Sequence, residues 1–248
     1  MAFSSVVKNL AMAAAGAALL ALGVPGKAQA GTLIDTTPGW NGSSDITSLG
    51  EPNTATYGQT FTVGSDNVLN DFSFWVNDVP SAGPDSTDFA AYVMEWDSAN
   101  YRAKGDILYQ SGMQSTTGAA GMEKFVFNTG GTALTSGKQY VAFLSASKFF
   151  DGVRGSSDVG WIGKNVYNGG DFVFSNNGAN FSALTSSSWD NWGFQNTDMA
   201  FQASFSQASA SVPEPSSMLG LLAFGTLGTG SLLKRKHQKA KYSSIHLG

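Results

Sequence analysis

The sequence predicts an all-β domain, with two antiparallel sheets packed as a jelly-roll-like sandwich. Three observations lead there. Short runs rich in aromatic and β-branched residues recur along the middle of the chain, separated by Gly, Asn, Asp, Ser and Pro. Within several runs the apolar residues alternate with a period of two, the signature of a strand with one packed face and one wet face. Asn-Gly at 41–42, 168–169 and 177–178, and Gly-Gly at 130–131, suit the positive-φ turns that close hairpins. No segment of similar length carries a helical period.

Nine strands are predicted in chain order, at residues 57–63, 69–77, 89–96, 107–111, 124–127, 140–145, 160–163, 171–174 and 199–206. Alternation is cleanest in the last, where Met199, Phe201, Ala203 and Phe205 share one side and Ala200, Gln202, Ser204 and Ser206 the other. In the first, Tyr57, Gln59, Phe61 and Val63 alternate with Gly58, Thr60 and Thr62. Eight to ten strands in about 180 residues favour two packed sheets over the main rival, a closed barrel. The first and last strands are expected to lie near each other.

Both ends of the chain read as sorting segments outside this fold. Lys8, the apolar Ala-rich run Leu10–Val24 and the small residues Ala28-Gln29-Ala30 match a secretory signal peptide over residues 1–30, cleaved before Gly31. At the other end, Val212-Pro213-Glu214-Pro215 precedes an uncharged stretch from Ser216 to Leu233. A basic cluster of Lys234, Arg235 and Lys236, then Lys239 and Lys241, follows at once. As a helix, the 16 residues from Met218 to Leu233 would span roughly 24 Å, and Ser216 and Ser217 bring them to marginal length for a bilayer core of about 30 Å. The cations after it are expected to stay cytoplasmic, leaving residues 31–211 outside. The expected organisation is therefore a signal peptide (1–30), a β-sandwich domain (31–211) and a sorting tail with a transmembrane helix (212–248).

This order of parts resembles the PEP-CTERM sorting signal of exported bacterial proteins. The resemblance rests on Val212-Pro213-Glu214-Pro215, the hydrophobic stretch and the basic residues after it, and covers about the last 25 to 37 residues. It implies an exosortase-type processing enzyme as partner, transient anchoring in the inner membrane, and delivery to the cell surface, outer envelope or extracellular matrix. It also implies a producer whose exosortase genes tend to accompany exopolysaccharide production. One departure is the continuation of the chain for 12 residues beyond Lys236.

Trimming both ends changes the chemistry available. Residues 31–212 hold seven Lys/Arg against seventeen Asp/Glu, a net charge of −10, so nucleic acid is not an expected partner. The chain has no cysteine, and its two histidines, His237 and His246, lie in the tail. Ser-His-Asp and Cys-His catalysis and His- or Cys-ligated zinc are thereby excluded from the exported domain. Carboxylate chemistry remains, or none.

Three groups of residues are candidates for a site. Glu95, beside Trp96 in a predicted strand, is the best single candidate for glycoside hydrolysis, which needs a second carboxyl across a groove. A solvent-facing Glu95 is the preferred reading, and no enzyme activity is expected. Asp78, Asp85 and Asp88 fall in one loop and offer oxygen ligands for a structural calcium ion, with solvated loop acids preferred. No cofactor is expected. Finally, Trp189 and Trp192 flank Asp190 and Asn191 in a polar stretch, a combination suited to stacking sugar rings and bonding their hydroxyls. Plugging one end of the sandwich is the preferred role for the two tryptophans, with ligand binding as the alternative. The function read from the sequence is an exported surface or matrix protein with a sandwich that binds extracellular polysaccharide. A carbohydrate-active enzyme using Glu95 and a purely structural surface component are the alternatives.

Overall fold

A computed structural model describes residues 31–52, 54–79, 86–118 and 121–208. The chain divides into one unit ending at Ala208 and a second beginning at Ser209. The predicted signal peptide, the tail with Val212, Pro213, Glu214, Pro215, Lys234, Arg235 and Lys236, and Asp85 lie outside the described residues.

The domain is an all-β sandwich. Its strands are β1 (Leu33–Asp35), β2 (Asp45–Glu51), β3 (Thr56–Thr62), β4 (Val68–Asp78), β5 (Asp88–Asp97), β6 (Arg102–Gln110), β7 (Gln114–Ser115), β8 (Glu123–Ala133), β9 (Gln139–Ser145), β10 (Gly155–Ile162), β11 (Phe172–Ser175), β12 (Asp198–Met199) and β13 (Phe201–Ser206). The described helical content is a 3-10 turn (Thr37–Gly39) and one turn of helix, α1 (Ala183–Ser186). The first sheet runs β1-β13-β4-β10-β12, with β2 on β10 and β8 on β4; the second runs β11-β3-β9-β5-β6, with β7 on β5. Every pair of named strands is antiparallel. β1 pairs with β13 through Leu33–Ser204 and Asp35–Gln202, so the two ends of the domain meet as the sequence suggests.

Side-chain alternation builds the core between the sheets. Phe72, Phe74 and Val76 of β4 and Phe201, Ala203 and Phe205 of β13 face Tyr57 and Phe61 of β3, Ala91 and Val93 of β5, and Ala142 and Leu144 of β9. Each large side chain fully buried here contributes about 1.5–3 kcal/mol, and Tyr57, Phe61, Phe72, Phe74 and Phe201 are all fully buried. The aromatic rings pack in tilted, edge-on and stacked pairs, as in Phe74 tilted against Phe201 (5.1 Å), Phe72 edge-on to Phe74 (6.1 Å) and Phe61 stacked on Tyr140 (6.1 Å).

The second sheet departs from the expected wet outer face. Its other parity is also apolar: Ala90, Tyr92, Met94 and Trp96 of β5, Val141 and Phe143 of β9, and Val173 of β11. Leu184 and Trp189 cover them, with Tyr101, Phe149 and Phe181 at the margin. A segment read from sequence as loop therefore lies across this sheet as a strap, because an apolar face of that size cannot remain in water.

Three strands were not anticipated: β1, β2 and β7. Each is short or poor in apolar residues, and neighbours rather than intrinsic preference hold it. β2 (DITSLGE) pairs with β10 through Leu49–Ser157 and Gly50–Ser156. Gly50 adopts φ +125°, and a Cβ there would lie 2.3 Å from the Gly155 carbonyl oxygen, so the pairing requires glycine.

Candidate functional site

The strap separates the two tryptophans that the sequence presents as a pair. Trp189 is buried, 3 % exposed, with its ring edge-on to Trp96 (5.4 Å) and Phe143 (5.4 Å). Its indole N–H donates to the Leu184 carbonyl at 2.9 Å, and its backbone N–H to the Tyr101 carbonyl at 2.7 Å. Trp189 is thus a structural plug on the outer face of the second sheet.

One residue later the strap meets β11. Asp190 and Phe174 exchange both backbone hydrogen bonds at 2.9 Å, an isolated antiparallel bridge. The Asp190 carboxylate then accepts the backbone N–H groups of Asn191 (2.7 Å) and Trp192 (3.0 Å), and the Asn191 side-chain oxygen accepts that of Gly193 (3.0 Å). These Asx-type turns reverse the chain. They also occupy the Asp190 oxygen and Asn191 amide that the sequence reading offers to a ligand; the Asn191 Nδ2 group donates to the Tyr101 hydroxyl at 3.2 Å.

The reversal carries Trp192 to the interior side of β11. Its ring lies 3.9 Å from that of Phe174, with Tyr57 at 5.9 Å and Phe172 at 6.2 Å. It nevertheless remains 40 % exposed. Its φ is +51°, a left-handed conformation that is an outlier for a bulky L-residue and costs about 1–2 kcal/mol. Among the described residues its indole N–H has no partner. Trp192 therefore caps the open end of the sandwich with its ring half in solvent.

Beside it lies a cleft of about 400 Å³ lined by Thr47, Ser48, Pro52, Thr54, Asn176, Gly178 and Trp192. Among the described residues the lining contains an aromatic surface, hydroxyls and an amide, and no charged side chain. Sequence reasoning missed this wall. Thr47 and Ser48 belong to unpredicted β2, and Asn176 precedes an Asn-Gly turn read only as punctuation. The signal that existed was chemical: a Thr/Ser-rich run opposite Asn176-Asn177-Gly178.

Glu95 is held differently from a hydrolase acid. Its carboxylate is paired with Lys138 at 3.0 Å and Lys104 at 3.4 Å. The Lys138 hydrogen bond is the largest influence and lowers its pKa; desolvation opposes it, and the Lys104 contact adds to the lowering. A glycosidase general acid needs the opposite shift. Asp78 closes β4 and Asp88 opens β5, where Asp88 accepts the Ser115 hydroxyl. Among the described residues no group of three or more His, Cys, Asp or Glu is placed to hold a metal ion.

Two other carboxylates are perturbed. Asp158 is pushed up to about 6, by burial first and the Asp45 charge second. Asp198 is fully buried and also raised by desolvation, partly offset by its hydrogen bonds. It accepts the backbone N–H groups of Val166 (2.8 Å) and Tyr167 (3.0 Å) and the Gln59 amide (2.8 Å). Gln59 in turn accepts the Met199 N–H at 2.7 Å, tying β3 of one sheet to β12 of the other. This closed network is a structural tie between the sheets.

The comparisons with known proteins bear mainly on the tail. A model of the PEP-CTERM protein-sorting motif matches residues 211–236. The chain thus carries the sorting signal of exported proteins handled by exosortase and directed to the cell surface. No curated protein matches the chain. Among solved structures, the cysteine protease and lectin-like domains of Cwp84, a surface layer associated protein of Clostridium difficile, match 63 % of this chain and 32 % of that one at 11 % identity and a TM-score of 0.40. A clostridial Cwp84 variant after propeptide cleavage matches 67 % and 38 % at 12 % identity and a TM-score of 0.41. The chain therefore spans about a third of the length of the structures it matches. Among the described residues no helix is long and apolar enough to cross a membrane.

Proposed function

We propose that this is a non-enzymatic, exported surface or matrix protein whose jelly-roll-like sandwich binds neutral sugar rings of extracellular polysaccharide in the cleft beside Trp192. The observation that carries the reading is Trp192 itself. A bulky residue is held in a left-handed conformation, half in water, with a free indole donor above an uncharged wall of hydroxyls and an amide. Strain of this kind is seldom retained without a role at a binding surface. Sugar rings present apolar C–H faces to an indole and hydroxyls to Thr47, Ser48, Thr54 and Asn176.

In this proposal exosortase is the processing partner, and the hydrophobic stretch before Lys234 anchors the protein in the inner membrane until processing. The ion-paired, acid-shifted Glu95 supports a binding protein over a hydrolase. Nothing in the proposed mode requires a cofactor. Glycan-array binding by residues 31–208, with and without calcium, tests the reading. Selective binding of neutral glycans that is lost in Trp192→Ala is expected. Binding to no glycan at all would replace it with a purely structural role.

A further inference from the structure

A second aromatic cleft lies at a different place, where the Gly39–Ser44 turn meets the end of β10. It measures about 260 Å³ and is lined by Gly39, Trp40, Asn41, Ser44, Trp161, Ile162, Gly163 and Lys164. Glycines let its walls pack closely: Gly39 and Gly163 line the cleft, and Gly160 lies behind it. A Cβ on Gly39 would lie 2.5 Å from Val166 Cγ1, one on Gly163 3.2 Å from the Trp161 ring, and one on Gly160 3.1 Å from the Trp40 ring. None of the three has positive φ, so space rather than backbone conformation calls for them.

The polar groups of the lining are largely spent. The Trp40 indole N–H donates to the Ser44 carbonyl (2.7 Å), and that of Trp161 to the Thr197 hydroxyl (3.3 Å). The Asn41 side chain accepts from the Ser43 and Ser44 backbones and donates to the Ser44 hydroxyl. Both rings are thereby fixed and present carbon surface, which Phe194 extends from 5.3 Å beyond Trp161.

Lys164 is the exception. Among the described residues Arg102, Lys104 and Lys138 are paired with carboxylates. Lys124 lies over Trp75 and bonds Gln202, and Lys148 lies over Phe181 and Tyr92. Of the domain's seven cations, Arg154 and Lys164 remain, and Lys164 stands in this cleft. Among the described residues Lys164 has no carboxylate within ion-pair distance, while Asp45 and Asp198 lie on the neighbouring strands, in register with Gly160 and Ile162, so its ammonium is the cationic group this cleft offers.

We propose that this cleft is a subsite for a uronic-acid residue of an anionic polysaccharide. The sugar ring lies on Trp161 and Trp40, and its carboxylate meets the Lys164 ammonium in a charge-assisted contact. The subsite rests on residues separate from those of the Trp192 cleft and stands without that reading. With both clefts, one domain holds neutral and acidic positions of polysaccharide at two points, which raises avidity without new contacts.

The test is binding of the full-length protein in detergent to polygalacturonate and to its methyl ester, in low and high salt. The account expects saturable binding of polygalacturonate that weakens with salt. Lys164→Gln should weaken it about tenfold, as loss of one charge-assisted contact does. Lys164→Arg should restore it, and weaker binding of the methyl ester should be the same in wild type and Lys164→Gln. Lys164 is exposed, so these variants leave the fold intact. Absence of polygalacturonate binding, or equal binding by wild type and Lys164→Gln, would overturn the subsite. Trp192→Ala is expected to reduce neutral-glycan binding while sparing polygalacturonate. Loss of polygalacturonate binding in that variant would show one shared site and sink the second. Failure of neutral glycans alone would count against the Trp192 reading and leave this one standing.

Discussion

Trp189→Ala and Trp192→Ala, which look equivalent in the sequence, should differ sharply in stability. Trp189 is 3 % exposed and wedged between Trp96 and Phe143, so truncation leaves a cavity worth about 3–5 kcal/mol. The unpaired Leu184 carbonyl adds about 1 kcal/mol where water cannot reach it. For a domain of this size each kcal/mol moves the midpoint by about 2–4 °C, so a total loss of about 4–6 kcal/mol should lower the melting temperature by roughly 8–24 °C. Trp192 is 40 % exposed and already strained at φ +51°, so its truncation should cost about 1–2 kcal/mol. Replacement by glycine should recover about 1 kcal/mol of that strain. Urea unfolding of residues 31–208, followed by circular dichroism, measures all three. Equal destabilisation by the two alanine variants would refute the division into plug and displayed ring, as would a neutral Trp189→Ala.

Other consequences follow from the carboxylates and the tail. Asp158, raised from 3.8 to about 6, binds more protons folded than unfolded, so its ionisation costs stability as pH rises through that interval. Asp158→Asn should therefore stabilise the domain at pH 7, by about 1–2 kcal/mol once solvent screening is allowed for, and the gain should vanish near pH 4 in parallel urea titrations. Asp198→Ala leaves the Val166, Tyr167 and Gln59 donors unpaired in the interior, and equilibrium unfolding should show a loss of about 3 kcal/mol or more. Glu95→Gln breaks two partly exposed ion pairs and should change the unfolding free energy by less than about 1 kcal/mol while leaving glycan binding intact. Replacing Pro213-Glu214-Pro215 with alanines should leave full-length protein in the inner membrane by immunoblot; unchanged processing would contradict recognition of the tail.

The sandwich was legible where burial and local pattern agree. Phe201, Ala203 and Phe205 alternate with polar neighbours, and the strand they predict is β13. The runs Ala90-Ala91-Tyr92-Val93-Met94 and Tyr140-Val141-Ala142-Phe143-Leu144 held a further message. Their unbroken apolar character is that of a strand covered on both faces. Read that way, they call for a cover over the second sheet, and Leu184 and Trp189 provide it. β2 was hidden because Asp45 and Gly50 are depleted in strands and its apolar residues, Ile46 and Leu49, do not alternate with a period of two, so pairing with β10 rather than local pattern holds it. The candidate site was half legible for the same reason. Trp192 is visible as an aromatic in a polar stretch, whereas Thr47, Ser48 and Asn176 reach it only through long-range pairing. The two lysines on Glu95 arrive from β6 and from the turn before β9, and no local spacing announces them.

The central claim is that Trp192 contacts the polysaccharide. Acrylamide quenching of tryptophan emission, with and without a soluble neutral glycan bound, tests it most directly. The account predicts that the glycan protects an exposed tryptophan from quenching in the wild type, and that this protection disappears in Trp192→Phe. Saturable glycan binding with no change in quenching, or protection that persists in Trp192→Phe, would contradict it.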